Sequence, residues 1–486
     1  MEIEAADSGY TWVDLRLEGN GGIDDLRDQA TITYTAVKTD GTLIFPDYTS
    51  TSADHDGLVT GLFPATQYIV IVKVTGDPNY MDAESTLEGA SVVTTLSAPT
   101  GNWADHADTS WYDSSLSEFT LTLASELAGL AKLVNNNTNF SGKTVKLGAD
   151  IDLLAYQWTP IGNSSYSFQG TFDGQNHTVK GMYADCAYSG LFGNIYSATV
   201  KNLTLQDSYT TTNQTDTGGI VAYARYRSRI ENCVVGKDVT VYSTVQDNNY
   251  NAGGVVGNCY DEVVVTGCVN WGVVYGVYHV GGIVGYSNDA LILTNCVNYG
   301  PIRGNSFIGG IVGYTYDEGN VLNSANFGSV TGEDCVGGIV GKTRRKNDGG
   351  KYPNNVLNCY NVGTVYGKTY VGAIVGGRQT TDDAVHQCYY VPGCATNQYG
   401  AVKAVGISGT GSTDSEKNLQ IACFTSYDSI MTGSSAGDCG LTNLITALNN
   451  WVKLWNDKQC NAKWEEGPDG YPLPIGKINT NKGTKQ

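Results

Sequence analysis

The stretch Gly281-Gly282-Ile283-Val284-Gly285, followed by Asn295-Cys296-Val297-Asn298-Tyr299-Gly300, is one copy of a two-part motif that recurs along this 486-residue chain. The first part begins every 28 or 35 residues, at Gly218, Gly253, Gly281, Gly309, Gly337 and Gly372. A looser copy begins at Ser189, 29 residues before Gly218. A fixed period of this length is typical of a solenoid, in which each repeat contacts only its neighbours.

The composition of the repeats indicates which kind of solenoid to expect. They are rich in Val, Ile, Tyr and Thr between Gly and Asn turns, and none contains ten residues of helical periodicity. A 28-residue coil is too short for the helix pairs of α-solenoids and for a propeller blade of about 40 residues. The sequence therefore predicts an all-β fold, a right-handed parallel β-helix whose coils stack at roughly 4.8 Å.

Reading the repeats in register places equivalent residues one above another. We expect two internal columns, one that fills a narrow core and one whose amides hydrogen-bond from coil to coil. The core column consists of Cys233, Cys268, Cys296, Ser324, Cys359 and Cys388, and the amide column of Asn270, Asn298, Asn326 and Asn361. Parallel side-chain vectors disfavour disulfides within the core column. The better disulfide candidates are Cys388/Cys394 and Cys423/Cys439.

The glycine motif with Tyr286, and the segment from Asn295 to Gly304, closely resemble the GLUG repeat of bacterial surface proteins. Phe168-Gln-Gly-Thr-Phe-Asp-Gly174 looks like a first coil of such proteins. The resemblance implies a secreted or surface-exposed, adhesin-like protein and brings no catalytic residues with it. Some proteins with these repeats are immunoglobulin A peptidases with a His-Glu-x-x-His zinc site. That activity is not carried over, because Glu follows none of the histidines His55, His106, His177, His279 and His386.

Four regions are predicted. Residues 1–97 form a small β-sandwich in which Leu62-Phe-Pro-Ala-Thr-Gln-Tyr68 resembles the tyrosine-corner signature of fibronectin type III domains. A linker (98–116), the GLUG-type β-helix (117–400) and a C-terminal capping region (401–486) follow. Helical periodicity within Ala124 to Asn135 and within Leu441 to Asp457 predicts two short helices. Because open solenoid ends expose unpaired strands, we expect the first helix to cap one end and the second to close or flank the other.

Charge and hydropathy limit which partners and which cellular location we expect. A net charge of −19 and a pI near 4.6 argue against nucleic acid and anionic membrane surfaces as partners. No apolar run approaches the 18 residues of a membrane span. The resemblance implies export, so we expect an extracellular or bacterial cell-surface protein whose precursor carries an export signal or lipid anchor. We expect a monomer.

An acidic column is a candidate metal site. Asp261, Asp289 and Asp317 occupy equivalent positions in successive coils, and Glu262 and Glu318 follow two of them. Stacked carboxylates repel one another, so the column needs solvation, a neighbouring cation such as Arg345, or bound calcium. No other cofactor is predicted. Asp54-His-Asp56-Gly57 is a weaker calcium-loop fragment and is interpreted as a turn.

A tyrosine row is a candidate ligand site. Tyr223, Tyr286 and Tyr314 share one register position, with Asn258 between the first two, and aromatic rings in a row can stack on sugars. The alternative is an ordinary β-surface position. We predict a non-enzymatic protein that binds an extracellular glycan or protein. The alternatives are a polysaccharide-cleaving β-helix enzyme, for which Asp382-Asp383 and Arg344-Arg345-Lys346 are weak candidates, and a structural scaffold.

Overall fold

The structure is a computed structural model that describes residues 2–10, 12–18, 31–39, 48–51, 58–75, 83–84, 91–245, 250–344, 353–378, 383–402, 405–407, 421–426, 429–431, 444–455, 463–466 and 472–474. Within these ranges the chain is mainly β-structure, with two α-helices, Ala124–Asn135 (α1) and Leu444–Trp455 (α2), and the 3-10 helix Trp103–His106.

Most strands belong to a parallel β-helix with five sheets, named sheets 1 to 5 in the order in which a coil visits them. Sheet 1 contains Glu118–Leu121, Thr144–Leu147, Thr171–Asp173, Thr199–Lys201, Arg229–Glu231, Val264–Thr266, Ile292–Thr294, Asn320–Leu322, Asn355–Leu357 and Ala384–His386. Sheet 2 contains Ile151–Asp152, Thr178–Lys180, Thr204–Gln206, Val234–Val235, Val269–Asn270, Val297–Asn298, Ala325–Asn326, Tyr360–Asn361, Cys388–Tyr390, Ile421–Ser426 and, antiparallel to its neighbour, Ser429–Met431.

The other three sheets complete the coil. Sheet 3 contains Tyr183–Asp185, Tyr209–Thr212, Thr240–Ser243, Val273–Tyr275, Ile302–Arg303, Val330–Thr331, Val365–Tyr366, Ala395–Asn397 and, antiparallel, Gly400–Ala401. Sheet 4 contains Thr217–Gly218, Ala252–Gly253, Tyr278–Gly281, Ser306–Gly309, Asp334–Gly337 and Thr369–Gly372. Sheet 5 contains Phe192–Tyr196, Val221–Arg225, Val256–Tyr260, Val284–Asn288, Val312–Tyr316, Val340–Arg344, Val375–Arg378 and Val405–Ile407.

The fold is the predicted right-handed parallel β-helix, and the register confirms its 28-residue coil. Val265 pairs with Leu293, and Leu293 pairs with Val321, each 28 residues further on. Gly282 shows why the motif requires glycine. A Cβ there would lie 2.1 Å from the carbonyl oxygen of Gly310 in the next coil. The chain passes too close to its neighbour at this position for any side chain.

Both internal columns are confirmed. The amide nitrogen of Asn270 donates to Asn298 Oδ1 at 2.8 Å, and that of Asn298 donates to Asn326 Oδ1, also at 2.8 Å. Asn326 continues the ladder to Asn361. The thiol column is buried, and its sulfurs carry no disulfides.

The proposed disulfide between Cys388 and Cys394 is wrong. Both thiols are free, and Cys394 Sγ accepts a hydrogen bond from the amide of Asn361. The side chains of Cys423 and Cys439 lie outside the described residues.

The first coils (117–217) have only the looser copy of the glycine motif at Ser189, and they fill their core with phenylalanine. Phe140, Phe168 and Phe192 are buried and contact one another in turn. The ring centroids of Phe140 and Phe168 lie 6.0 Å apart, and those of Phe168 and Phe192 lie 5.5 Å apart. Helix α1 buries Leu127 and Leu130 against this core. Asn135 at its C-terminal end accepts from the Gly162 amide and donates to the Pro160 carbonyl. Helix α1 therefore covers the N-terminal end of the solenoid, as predicted.

The described strands of the N-terminal module form two antiparallel sheets. One consists of Glu2–Ser8, Val13–Glu18 and Leu58–Val59, and the other of Tyr48–Thr51, Thr31–Lys38, Gln67–Thr75, Ala83–Glu84 and Ser91–Thr94. The Tyr68 hydroxyl accepts a hydrogen bond from the Phe63 amide at 2.9 Å, which is the contact of a tyrosine corner. The likeness to fibronectin type III domains stays a prediction.

The module contacts the flank of the β-helix at sheet 3. The Tyr10 hydroxyl donates to the Leu154 carbonyl at 2.9 Å, and the Trp12 indole donates to Asp207 Oδ1 at 2.6 Å. The predicted linker, 98–116, contains the buried Trp103, whose indole donates to the Leu153 carbonyl. This segment packs against the first coils.

Helix α2 lies against the side of the β-helix. It buries Leu448 and Trp451 with Tyr360 of sheet 2, and its Leu448 carbonyl accepts from the amide of Asn358. The hairpin Trp464–Glu466 and Pro472–Pro474 adds Trp464, whose indole donates to Asn323 Oδ1 at 2.5 Å. Of the two predicted roles, closing or flanking, the helix takes the flanking one.

Candidate ligand-binding face

The outward surface of sheet 5 is built by strand alternation. In the five strands from Val221–Arg225 to Val340–Arg344, the first, second and fourth residues are buried, whereas the fifth residues, and the third residues except Tyr314, are at least partly exposed. The third positions hold Tyr223, Asn258, Tyr286, Tyr314 and Lys342, and the fifth hold Tyr196, Arg225, Tyr260, Asn288, Tyr316 and Arg344. We call these two columns, together, the tyrosine face.

Two of the predicted tyrosines come together. The rings of Tyr286 and Tyr314 lie 5.4 Å apart, and His279 of sheet 4 lies 5.1 Å from each. Phe307 stacks on Tyr314, and the Lys342 ammonium lies 4.7 Å from the Phe307 centroid. Packing leaves Tyr314 only 8% exposed, and burial raises the pKa of Tyr314 to about 12. Tyr314 therefore supports the face more than it presents a ring.

The third predicted tyrosine lies in a separate patch. Tyr223 stacks on Tyr188 at 6.1 Å, and the Arg225 guanidinium lies 5.5 Å from its ring. Asn258 separates this patch from Tyr286, because its amide turns inward and donates to Asp216 Oδ2 at 3.1 Å. Tyr223, Tyr286 and Tyr314 thus do not form one continuous platform.

The more exposed aromatic rings lie one outward position further along the strands. Tyr260 is 41% exposed, and Tyr196 stacks on Tyr226 at 4.9 Å. The guanidinium of Arg225 lies 5.5 Å from the Tyr196 ring, and that of Arg344 lies 5.5 Å from the Tyr316 ring. This column was not predicted from the sequence. The period-2 alternation of the strands, counted two residues on from Tyr223 and Tyr314, would have found it.

A buried polar row lies beneath the face. The Asn251 amide donates to Asp216 Oδ1 at 2.6 Å, and Asn251 Oδ1 lies 2.7 Å from His279 Nδ1. Since the amide nitrogen faces the carboxyl group, its oxygen must accept from an Nδ1–H of His279. Burial raises the pKa of Asp216 to about 7 and lowers that of His279 to about 3. The row connects three coils and was also missed.

The acidic column lies at the turn between sheet 5 and sheet 1. Asp261, Asp289 and Asp317 have φ of 67°, 60° and 61°, a region that Asp tolerates better than most residues. Glu262 pairs with Arg227 at 2.5 Å. In the described part of the chain, no three His, Cys, Asp or Glu side chains converge as a metal site. Calcium binding stays a prediction; Arg345 and Asp54-His-Asp56 lie outside the described residues.

The enzymatic alternative has little support around Asp383. This carboxyl group is buried, and its Oδ1 accepts hydrogen bonds from the backbone and side-chain amides of Asn354. Asp383 therefore closes a turn of the coil and is not presented to a substrate. Asp382, Arg345 and Lys346 lie outside the described residues.

Comparison with known proteins shows similarity at the level of solved structures. A candidate immunoglobulin A1 protease from Bacteroides ovatus is 18% identical, with 73% of this chain and 91% of that chain covered and a TM-score of 0.44. An IgA1 protease is 14% identical, with 78% of this chain covered and a TM-score of 0.42; this chain spans 30% of its length. No family model and no curated protein matches the sequence. The GLUG assignment thus stays a prediction, and at these TM-scores the likeness carries no argument about activity.

Helices α1 and α2, each of 12 residues, fall short of the length that a membrane-spanning helix needs.

Proposed function

We propose that this chain is a non-catalytic, adhesin-like binding protein, and that the tyrosine face is where it contacts an extracellular glycan. The observation that carries the proposal is the fifth-position column of sheet 5. There Arg225, Tyr260, Asn288, Tyr316 and Arg344 follow one another on successive coils. Aromatic rings stack on the apolar faces of sugars, and guanidinium and amide groups donate to their oxygens.

The solenoid suits a polymeric ligand. Its coils repeat at roughly 4.8 Å, so equivalent side chains recur along the rod and can contact successive units of a chain-like molecule. The face is also preorganised, because Arg225 is held between the Tyr196 and Tyr223 rings and Tyr196 is stacked on Tyr226. A fixed face loses little side-chain entropy on binding.

The cellular setting follows from the resemblance and the charge. The GLUG-type repeats and the fibronectin-like module support a secreted or cell-surface location, with a signal or anchor on the precursor. The net charge of −19 disfavours nucleic acid as a partner. We propose that the chain acts as a monomer, since a single rod already presents the whole face.

A glycan array tests the proposal, with variants that remove two rings of the face. Tyr260→Ala combined with Tyr316→Ala is expected to weaken glycan binding about tenfold or more, since each ring contributes about 0.5–1.5 kcal/mol. Tyr399→Ala is the matched control, because Tyr399 is 86% exposed and lies beyond the sheet 5 strands that form the face. Equal binding by both variants would contradict the assignment of the face. Product release from any polysaccharide would contradict a non-catalytic role.

Calcium at the acidic column is a second, smaller proposal. It is supported by Asp317, whose Oδ1 is buried and accepts no hydrogen bond in the described part of the chain. Calcium ions prefer such oxygen ligands. Titration of the protein with calcium by calorimetry should give heat that disappears in Asp317→Asn. A titration without heat or thermal shift rules the site out.

A further inference from the structure

A cleft separates the N-terminal module from the flank of the β-helix. It encloses about 320 Å³ between the Phe63–Pro64 turn and the strands Tyr183–Asp185 and Tyr209–Thr212 of sheet 3. It lies on a different sheet from the tyrosine face. Ligand sites often occur where two modules meet, and this volume is at the small end of their usual range.

The module wall of the cleft is fixed. The Phe63 amide donates to the Tyr68 hydroxyl, and the Phe63 carbonyl accepts from the Thr95 hydroxyl at 2.6 Å. The Phe63 ring packs edge-on against Tyr242 of sheet 3, with ring centroids 4.9 Å apart. The tyrosine corner thus holds an aromatic ring at the mouth of the cleft. This wall of the cleft is therefore preorganised for a ligand.

The solenoid wall is polar. Asp185 and Asn213 line it and are exposed, alongside the largely buried hydroxyl side chain of Thr211. No group in the described part of the chain donates a hydrogen bond to the Asp185 carboxylate or forms an ion pair with it. The neighbouring Thr212 hydroxyl is already used, since it accepts from the amides of Gln214 and Thr215. Asp185 and Asn213 therefore remain for a ligand.

We infer that this cleft binds a single neutral sugar residue. A carboxylate accepts from two adjacent hydroxyl groups, an amide both donates and accepts, and an aromatic ring packs on the apolar face of a pyranose. These three groups converge here. A sugar acid would place a second carboxylate beside Asp185 in a protein of net charge −19, so acidic sugars are disfavoured. The site is independent of the tyrosine face and does not require it to function.

The test uses the whole chain and methyl glycosides of neutral hexoses and N-acetylhexosamines. Saturation-transfer NMR and titration should detect binding with a Kd on the order of 1 mM, as expected for so few contact atoms. Asp185→Asn should weaken binding roughly tenfold, because hydrogen bonds to a charged acceptor are the strong ones. Asp105→Asn changes charge equally at an exposed position away from the cleft and should have no effect.

Two further variants separate the outcomes. Asn213→Trp places a bulky side chain at the rim and should abolish binding without touching the core. Adding Asp185→Asn to the Tyr260→Ala and Tyr316→Ala double variant should still weaken monosaccharide binding roughly tenfold, so loss of the tyrosine face and loss of the cleft can be told apart. The inference is overturned if no neutral glycoside binds at 50-fold the expected Kd (roughly 50 mM), if glucuronate binds equally well, or if Asp185→Asn and Asn213→Trp leave binding unchanged.

Discussion

The first coils (117–217) and the repeat coils (218–376) build the same solenoid from different interactions. In the first coils, rings such as Phe172 and Phe192, whose centroids lie 5.2 Å apart, fill the interior. In the repeat coils, aliphatic side chains and thiols fill it, and the Asn270–Asn361 ladder connects one coil to the next. A hydrophobic core accepts different apolar side chains as long as their total volume is kept. A buried hydrogen-bond ladder, by contrast, requires the same residue in each coil that it connects.

That difference explains why the repeat is visible only in part of the chain. A coil that depends on ring packing can vary its residues as long as volume is conserved. A coil that depends on the amide ladder and on a close backbone approach such as Gly282 cannot vary them.

The largest effect is expected in the ring core of the first coils. Phe192→Ala should lower the free energy of unfolding by about 3–5 kcal/mol, because it removes buried area and leaves a cavity between Phe168 and Phe172. Phe192→Leu should recover most of that loss. Urea unfolding followed by circular dichroism measures both. Equal losses for Ala and Leu would show that ring geometry, and not volume, stabilises these coils.

In the asparagine ladder, unlike the ring core, an apolar side chain of larger volume should not restore stability. Asn298→Ala should cost about 2–3 kcal/mol, because it leaves the Asn270 amide and Asn326 Oδ1 without their partner. Asn298→Leu should be no better, since added volume satisfies neither group. The exposed Asn305→Ala serves as the control in the same coil stack. If Asn298→Leu were as stable as wild type, the ladder would be dispensable.

The buried row of Asp216, Asn251 and His279 should make the free energy of unfolding depend on pH. With a folded pKa of about 7, Asp216 favours the folded state less as pH rises from about 4 to 7. His279, with a folded pKa of about 3, favours it less as pH falls from about 6.5. The two effects nearly cancel between pH 4 and 6.5. His279→Gln should expose the Asp216 slope, a loss of about 1.4 kcal/mol per pH unit as pH rises relative to wild type.

Asp216→Asn should expose the opposite slope, with stability falling as pH falls from about 6.5. Unfolding free energies of the three proteins at pH 4.5, 5.5 and 6.5 measure the two differences. Parallel curves for all three would mean that the row does not titrate as described.

The smallest effect is expected for exposed ion pairs, in which the two regions should not differ. Glu118 and Lys146 pair at 2.7 Å in the first coils, and Glu333 pairs with Lys368 in the repeat coils. Glu118→Gln and Lys368→Gln should each change stability by less than about 0.5 kcal/mol, because solvent screens such pairs. Urea unfolding in low salt measures both variants. A larger loss of stability in only one region would show that the two regions also differ in how much surface ion pairs stabilise them.

The sequence predicted the features that depend on repetition. The coil length, the thiol column and the Asn270–Asn361 ladder follow from the period alone, and α1 follows from helical spacing. Features that combine unlike residues were missed. Asp216, Asn251 and His279 occupy one register position in three coils. Because they are three different residue types, no repeated residue marks this position in the sequence. The docking of the N-terminal module through Trp12 and Asp207 joins residues 195 positions apart, which no local pattern reveals. The tyrosine row and its interruption at Asn258 could be read from the sequence, whereas the hydrogen bond by which Asn258 turns inward to Asp216 could not.

The buried thiols offer a direct measure of how the rod comes apart. Cys233, Cys268, Cys296, Cys359 and Cys388 lie in different coils, and each thiol is free of disulfides and shielded from solvent. An alkylating reagent can therefore reach each sulfur only while its own coil is open. The rate at which each cysteine is modified in the native protein reports the opening free energy of that coil. Peptide mass spectrometry of the modified chain would then show whether the solenoid frays from one end or separates in the middle.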